Sequence, residues 1–228
     1  MKIFIVGSTG RVGKSLIKSL STTDYQIYAG ARKIEQVPEY DNVNAVHFDV
    51  DWTPEEMSKQ LQGMDLVINV SGSGGKSLLK VDLYGAVKLM QATEKAGVKR
   101  FILLSTIFSL QPEKWIGAGF DALKDYYIAK HFADLYLTKE TTLDYTIIQP
   151  GALTEEEGTG LIDINDGVSA SNTIEDVADT IKELVTTDRS IGQVISMHNG
   201  KTPIRKALES LQWIEKTNFH LIWIFLFS

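Results

Sequence analysis

The stretch Ile3-Phe4-Ile5-Val6-Gly7-Ser8-Thr9-Gly10-Arg11-Val12-Gly13 constrains what this chain can fold into more than any other part of it. Its apolar first half reads as a strand buried on both faces, and Val12, Leu16, Ile17 and Leu20 then recur at helical spacing. The turn between strand and helix needs glycine at three places. Gly7 lets the backbone leave the strand at angles closed to other residues, Gly10 leaves bare main chain open to an anion, and Gly13 lets the helix pack close to the sheet. Unpaired N–H groups and the positive end of the helix dipole make a cradle of Gly7, Ser8, Thr9, Gly10, Arg11, Val12 and Gly13. With a strand before it and a helix after it, the triplet reads as the pyrophosphate turn of a dinucleotide site.

Composition narrows the remaining classes. At 228 residues, with no Pro/Gly/Ser-rich linker, the chain has the length for one sizeable α/β domain. It has no cysteine, which excludes disulfides and a thiolate nucleophile, and its four histidines stand in no ligand spacing, so no metal is expected. A net charge of -6 without a Lys/Arg-rich stripe argues against nucleic acid as a partner. Met1 leads straight into the first strand, which predicts no signal peptide, no membrane association and a cytoplasmic protein.

Along the chain, Tyr25 to Ala29 alternates as a second strand and runs into Gly30-Ala31-Arg32-Lys33. An NAD site places an acid near this strand end, whereas an NADP site places cations there for the 2′-phosphate. Arg32 and Lys33, with Arg11 as a third charge, favour NADP(H) over NAD(H); the other reading makes them solvated surface cations. A third strand, Val43 to Phe48, ends at Asp49-Val50-Asp51, where Asp49, beside Val50, is either an adenine contact or a turn aspartate. Thr53-Pro54-Glu55-Glu56 starts a helix, and Leu66 to Val70 forms a fourth strand opening into Ser71-Gly72-Ser73-Gly74-Gly75-Lys76. This second glycine-rich loop lies at the carboxyl edge of the sheet, so Ser71, Gly72 and Ser73 are expected beside the cofactor ribose and nicotinamide. Lys76 has no assigned role.

A helix follows from Leu78 to Ala96, then a fifth strand from Arg100 to Thr106, ending in two hydroxyls. Next come a loop with Trp115, a helix over about Phe120 to Lys139, and a sixth strand, Tyr145 to Gln149, stopped by Pro150-Gly151. Residues 152–172 read as an irregular substrate-side wall, before a helix carrying Val177, Ile181 and Leu184, a last strand from Gly192 to Met197 and a short helix from Pro203 to Leu211. This alternation predicts a doubly wound parallel sheet of about seven strands over residues 1–211. Residues 212–228 form an atypical apolar tail with no assigned function, open between an oligomer contact, an edge strand and a reading-frame anomaly.

Tyr126 and Lys130 fall one turn apart on one helix face. An ammonium there would lower the tyrosine pKa and let the phenol exchange a proton near neutral pH, while Thr106 or Ser105 holds the same substrate oxygen. Taken with Gly7-x-x-Gly10-x-x-Gly13, Leu104-Ser105-Thr106, Tyr126-Tyr127-Ile128-Ala129-Lys130 and the run Leu143 to Thr154, the chain resembles a bacterial short-chain dehydrogenase/reductase of the atypical, NAD(P)H-binding, epimerase/dehydratase-like kind. The resemblance spans Met1 to about Leu211 and implies a Rossmann-type fold. It makes Tyr126 the acid/base, Lys130 the holder of the nicotinamide ribose, Thr106 the active hydroxyl with Ser105 in reserve, and Pro150-Gly151 the turn lining the nicotinamide. Asp82 stands where better-known relatives carry an active-site asparagine.

Two readings of function follow. In the first, the protein is an NADP(H)-dependent oxidoreductase or epimerase/dehydratase acting on a small carbonyl or hydroxyl compound through hydride transfer. In the second it is a non-catalytic sensor of NADP(H). Intact Tyr126 and Lys130 favour the enzyme.

Overall fold

The computed structural model describes residues 1–213, so the tail singled out above lies outside the described residues from 214 onward. The chain opens with β1 (Lys2–Val6), α1 (Arg11–Leu20), β2 (Gln26–Ala31), β3 (Val43–His47), α2 (Pro54–Leu61) and β4 (Leu66–Asn69). A π-helical stretch, Leu78–Gly85, winds directly into α3 (Ala86–Lys95), followed by β5 (Arg100–Leu104), the short α4 (Ala118–Asp121), α5 (Lys124–Glu140) and β6 (Asp144–Pro150). The last part holds β7 (Leu153–Thr154), β8 (Leu161–Ile164), β9 (Asn172–Thr173), α6 (Ile174–Leu184), β10 (Gln193–Asn199), β11 (Thr202–Pro203) and α7 (Ile204–Glu209).

The main sheet runs β3-β2-β1-β4-β5-β6-β10-β8-β11, parallel as far as β10. In β1 the period of two sends Ile3 and Ile5 to one face and Phe4 and Val6 to the other. The first face packs under Leu16 and Ile17 of α1 and Val177 and Ile181 of α6; the second under Met57 of α2, Leu89 of α3 and Ala133 and Leu137 of α5. Both faces are covered, which is why the strands read as unbroken apolar runs. Strand order reverses at β1, between β2 and β4, so a crevice opens beyond the carboxyl ends of β1 and β4, where ligands of such sheets bind.

Among the described residues the sheet has nine strands rather than about seven. The extra two, β8 and β11, lie at the far edge and run antiparallel to their neighbours. The stretch 152–172 is therefore not irregular throughout: it contains β7 and β8 and ends on the first residue of β9. β8 is too short to show a periodicity, and its partner β10 follows only after α6, so no local pattern announces the pairing. Elsewhere, β5 stops at Leu104, leaving Ser105 and Thr106 just past the strand, and the helix expected from about Phe120 splits into α4 and α5.

Side chains tie this edge down. Asn165 Oδ1 accepts from the Ser196 N–H at 2.9 Å, and Asp163 Oδ1 from the Thr202 hydroxyl at 2.9 Å. His198 Nε2 meets Asp166 Oδ2 at 2.8 Å, and its Nδ1 lies 2.6 Å from the Asn199 carbonyl oxygen. Burial opposes a charge on His198, yet the bonds to Asp166 and Asn199 outweigh it and raise its pKa. A folded-state pKa raised in this way adds stability that is complete below the unfolded-state value and is lost as pH rises through the folded-state value. The gap in denaturation midpoint between the native chain and His198→Ala should therefore shrink between about pH 6 and about pH 8. A gap independent of pH would show that the pair adds no charge-dependent stability.

Candidate functional site

The glycine turn is built by close backbone contact. Gly7 has φ +94°, and a β-carbon there would lie 2.6 Å from the Ser71 nitrogen. A β-carbon on Gly13 would lie 2.1 Å from the Gly7 carbonyl oxygen, so only glycine lets α1 start this near the strand. Gly10 caps α1 without any side-chain hydrogen bond, and no acidic residue occupies the first turn. The helix start thus presents bare N–H groups and a positive dipole end with nothing of its own to neutralise them. A pyrophosphate fits that cradle in shape and in charge.

Its side chains divide the work. The buried Ser8 hydroxyl donates to the Gly30 carbonyl at 2.5 Å, bracing the turn against β2, so only its main chain is left to meet a ligand. Val12 packs in the core, Thr9 is half-buried, and Arg11 is exposed, ion-paired at 3.2 Å with Glu155, just past β7. Arg32 and Lys33 follow β2 directly and are exposed, and among the described residues their side chains have no hydrogen bond or ion pair. Asp49 Oδ1 accepts from the Asp51 N–H at 3.0 Å, a turn-forming contact that occupies one of its two oxygens. Val50 packs against Gly85 at the end of the π-helical stretch.

Asn69 and Asp82 shape the second loop. Asn69 Oδ1 takes the Ser71 N–H at 3.0 Å and the Ser71 hydroxyl at 2.6 Å. Asp82, carried on the π-helical stretch and 4% exposed, accepts the Ser73 N–H at 3.2 and 3.3 Å and lies beside Gly72. Extra residues in a helical turn commonly re-aim a side chain at a functional site, and here the side chain is Asp82. Contacts therefore run unbroken from Gly7 through Ser71 and Gly72 to Asp82.

Asp82 also faces the tyrosine. Tyr126 sits on the first turns of α5, and its pKa is raised, first by burial and then by the Asp82 charge; a hydrogen bond with Thr106 works the other way. This corrects the expectation that Lys130 lowers it. Lys130 is not among the causes of the tyrosine shift; its ammonium donates to the Leu104 carbonyl at 2.8 Å at the end of β5. Burial lowers the lysine pKa, while Asp134 and then Asp82 support its charge. The site so brings Tyr126, Thr106, Lys130 and Asp82 together, with the phenol protonated in the absence of a ligand.

Four neighbours of the candidate site escaped the sequence reading. Asp134, fully buried, accepts from the Ser109 hydroxyl at 2.5 Å, and Gln149 donates to Ser109 at 2.6 Å. Ser105 faces the same carboxylate and lowers its pKa, yet neither the Ser105 hydroxyl nor Asp134 Oδ1 completes a full hydrogen bond. Asn172 Oδ1 accepts the Gly151 N–H at 2.9 Å, and the Pro150 carbonyl accepts the Ile107 N–H at 2.8 Å, setting the Pro150-Gly151 turn. For Asp134 a signal existed: Tyr126, Lys130 and Asp134 repeat every fourth residue along one helix face. Ser109, Gln149 and Asn172 had none, because their partners are distant in sequence.

Known proteins share this architecture. A profile described as NAD(P)H-binding matches residues 7–188. The uncharacterized sugar epimerase YhfK of Bacillus subtilis (strain 168) is 36% identical over 225 residues, covering 92% of this chain and all of that one. The crystal structure of the oxidoreductase ylbE from Lactococcus lactis is 88% identical, with a TM-score of 0.94 over 94% of this chain and 99% of that one. A short-chain dehydrogenase/reductase from Veillonella parvula, crystallised in complex with NADP, shares the fold at 18% identity and a TM-score of 0.72, covering 89% of this chain and 96% of that one.

The Gly13 contact is testable without any ligand. Gly13→Ala forces a methyl into the Gly7 carbonyl and should cost about 1–3 kcal/mol in chemical denaturation. Undiminished stability would mean that the helix start can shift away from the strand.

Proposed function

The chain belongs to the NAD(P)H-binding family, and on that premise we propose that it is an NADP(H)-dependent oxidoreductase or epimerase/dehydratase acting on a small carbonyl or hydroxyl compound. One observation carries the proposal: a protonated phenol, a threonine hydroxyl and a buried lysine meet where contacts from the glycine turn end. The Gly7–Gly13 main chain would hold the pyrophosphate and Arg32, Lys33 and Arg11 a 2′-phosphate. Asp49 and Val50 would flank the adenine, Ser71, Gly72, Ser73 and Lys130 would flank the nicotinamide ribose, and Pro150 and Gly151 the ring. A bound nicotinamide supplies or accepts the hydride at the substrate carbon.

The chain's own residues move the proton. Thr106 orients the substrate oxygen by hydrogen bonding, and Tyr126 donates its phenolic proton to that oxygen as negative charge develops there. Burial and the Asp82 charge keep the phenol protonated, which suits Tyr126 to the reducing direction. Oxidation needs the tyrosinate, the form this environment disfavours. Lys130 keeps N–H groups beyond the one spent on Leu104, and these are available to a ribose hydroxyl. Compartment and partner follow the same reading: a cytoplasmic enzyme with a small-molecule substrate. A non-catalytic NADP(H) sensor is the second reading, favoured by Asp82 spending its carboxylate on Ser73.

Cofactor choice is read by titration. NADPH should bind about tenfold more tightly than NADH, and Arg32→Glu should abolish the preference while sparing NADH. Equal affinities in the native chain would remove the 2′-phosphate assignment. For the proton step, Tyr126→Phe should retain NADPH affinity and lose roughly 10²–10⁴-fold in turnover on whichever carbonyl or quinone substrate a panel reveals. Because the raised pKa preserves the acid form, the reducing rate should hold level to about pH 9. Full activity in Tyr126→Phe defeats the assignment, and binding of NADPH with no turnover across the panel supports the sensor.

A further inference from the structure

We propose that Asp134 is a positioning residue that, from one turn further along α5, keeps the buried Lys130 ammonium charged. The inference deepens the functional reading above and rests on it for the role of Lys130. Both side chains are enclosed: Lys130 is 4% exposed and Asp134 fully buried. An ammonium buried alone sheds its proton, so Lys130 needs a compensating anion to remain a cation there. The groups that face it are Asp134 one turn further along α5, Asp82 from the π-helical stretch and the Leu104 carbonyl at the end of β5.

The two carboxylates are not equivalent. Asp82 has its oxygens on the Ser73 N–H, at the sheet's carboxyl edge. Asp134 is instead braced from behind by side chains of two other segments. Ser109, in the loop after β5, donates to its Oδ2, and Gln149 of β6 fixes Ser109 in turn. The Ser109 carbonyl is itself held 2.7 Å from His131 Nδ1. Burial is the largest influence on Asp134 and raises its pKa, while Lys130 first and then the side chains of Ser105, Ser109 and Gln149 favour the ionised carboxylate. A buried carboxylate with one oxygen left unsatisfied costs stability that an apolar residue would not. What it adds in return is a negative charge one helical turn from the lysine.

The test uses the full chain with isotope-labelled lysine. The Lys130 side-chain signal, assigned by its loss in Lys130→Arg, is followed by NMR against pH, and NADPH affinity is titrated over the same range. Removing the carboxylate removes support for the cation, so Asp134→Asn should lower the Lys130 midpoint by about one pH unit or more, and by more than Asp82→Asn does. NADPH affinity should stay near the native value at about pH 6 and fall about tenfold by about pH 9, as the lysine loses its proton. An unshifted midpoint in folded Asp134→Asn overturns the proposal, as does a loss of affinity equal at every pH, which marks a structural role. Should Asp134→Asn not fold, Ser109→Ala withdraws the bond to Oδ2 and must move the midpoint in the same direction by a smaller amount; no movement overturns the proposal. If the native chain binds no NADPH at any pH, the cofactor reading fails, while the lysine titration still decides the pairing.

Discussion

One close approach organises this molecule: the α-carbon of Gly13 against the carbonyl of Gly7, with Gly7 itself against the Ser71 backbone. Three segments, the starts of α1 and of the loop after β4 and the end of β1, can converge only because no side chain stands between them. The convergence lies where strand order reverses, so the place with least room for side chains is also where the crevice opens. A larger residue at Gly13 would separate the helix from the strand end, and one at Gly7 would push the turn off the loop after β4. Packing and anion binding are thus two consequences of one steric fact.

A second organising feature is the buried charge along α5. Tyr126, Lys130 and Asp134 form a stripe in which Asp134 alters the proton affinity of the other two and Lys130 that of Asp134. Asp82 acts on Tyr126 and Lys130 from the π-helical stretch packed on α5. Charges in such surroundings interact strongly because little solvent screens them. The contrast with Arg11 and Glu155 is instructive. That pair also joins segments distant in sequence, but both side chains are mostly exposed, and an ion pair in water contributes little to stability. Its members are free to exchange partners, whereas Lys130 and Asp134 are each fixed by a buried hydrogen bond, to Leu104 and to Ser109.

Much of the architecture was legible before any coordinates. The order of parallel strands and helices, the glycine turn and the placing of Tyr126 and Lys130 on one helix face all follow from local patterns, because each depends on residues within one strand, turn or helical face. Pairing Tyr126 with Thr106 rather than Ser105 rested on the family resemblance. The edge of the sheet was not legible. Leu161–Ile164 carries too few residues to declare a period, and its attachment depends on Asn165, Asp166 and His198 meeting across α6. The direction of the tyrosine shift was also missed. Spacing puts Lys130 near Tyr126 but says nothing of the Leu104 carbonyl that takes the ammonium's hydrogen bond, or of Asp82 arriving from another element.

The sequence by itself determined which segments become strands and helices and where bare main chain must stand, since glycine, proline and apolar periodicity act over a few neighbouring residues. Tertiary structure alone decided which charges share a low-dielectric space, and therefore which groups carry protons. Proton affinity depends on burial and on partners brought from distant segments: Asp82 from the π-helical stretch, Ser109 from a loop and Gln149 from β6. No pattern along the chain encodes those distances.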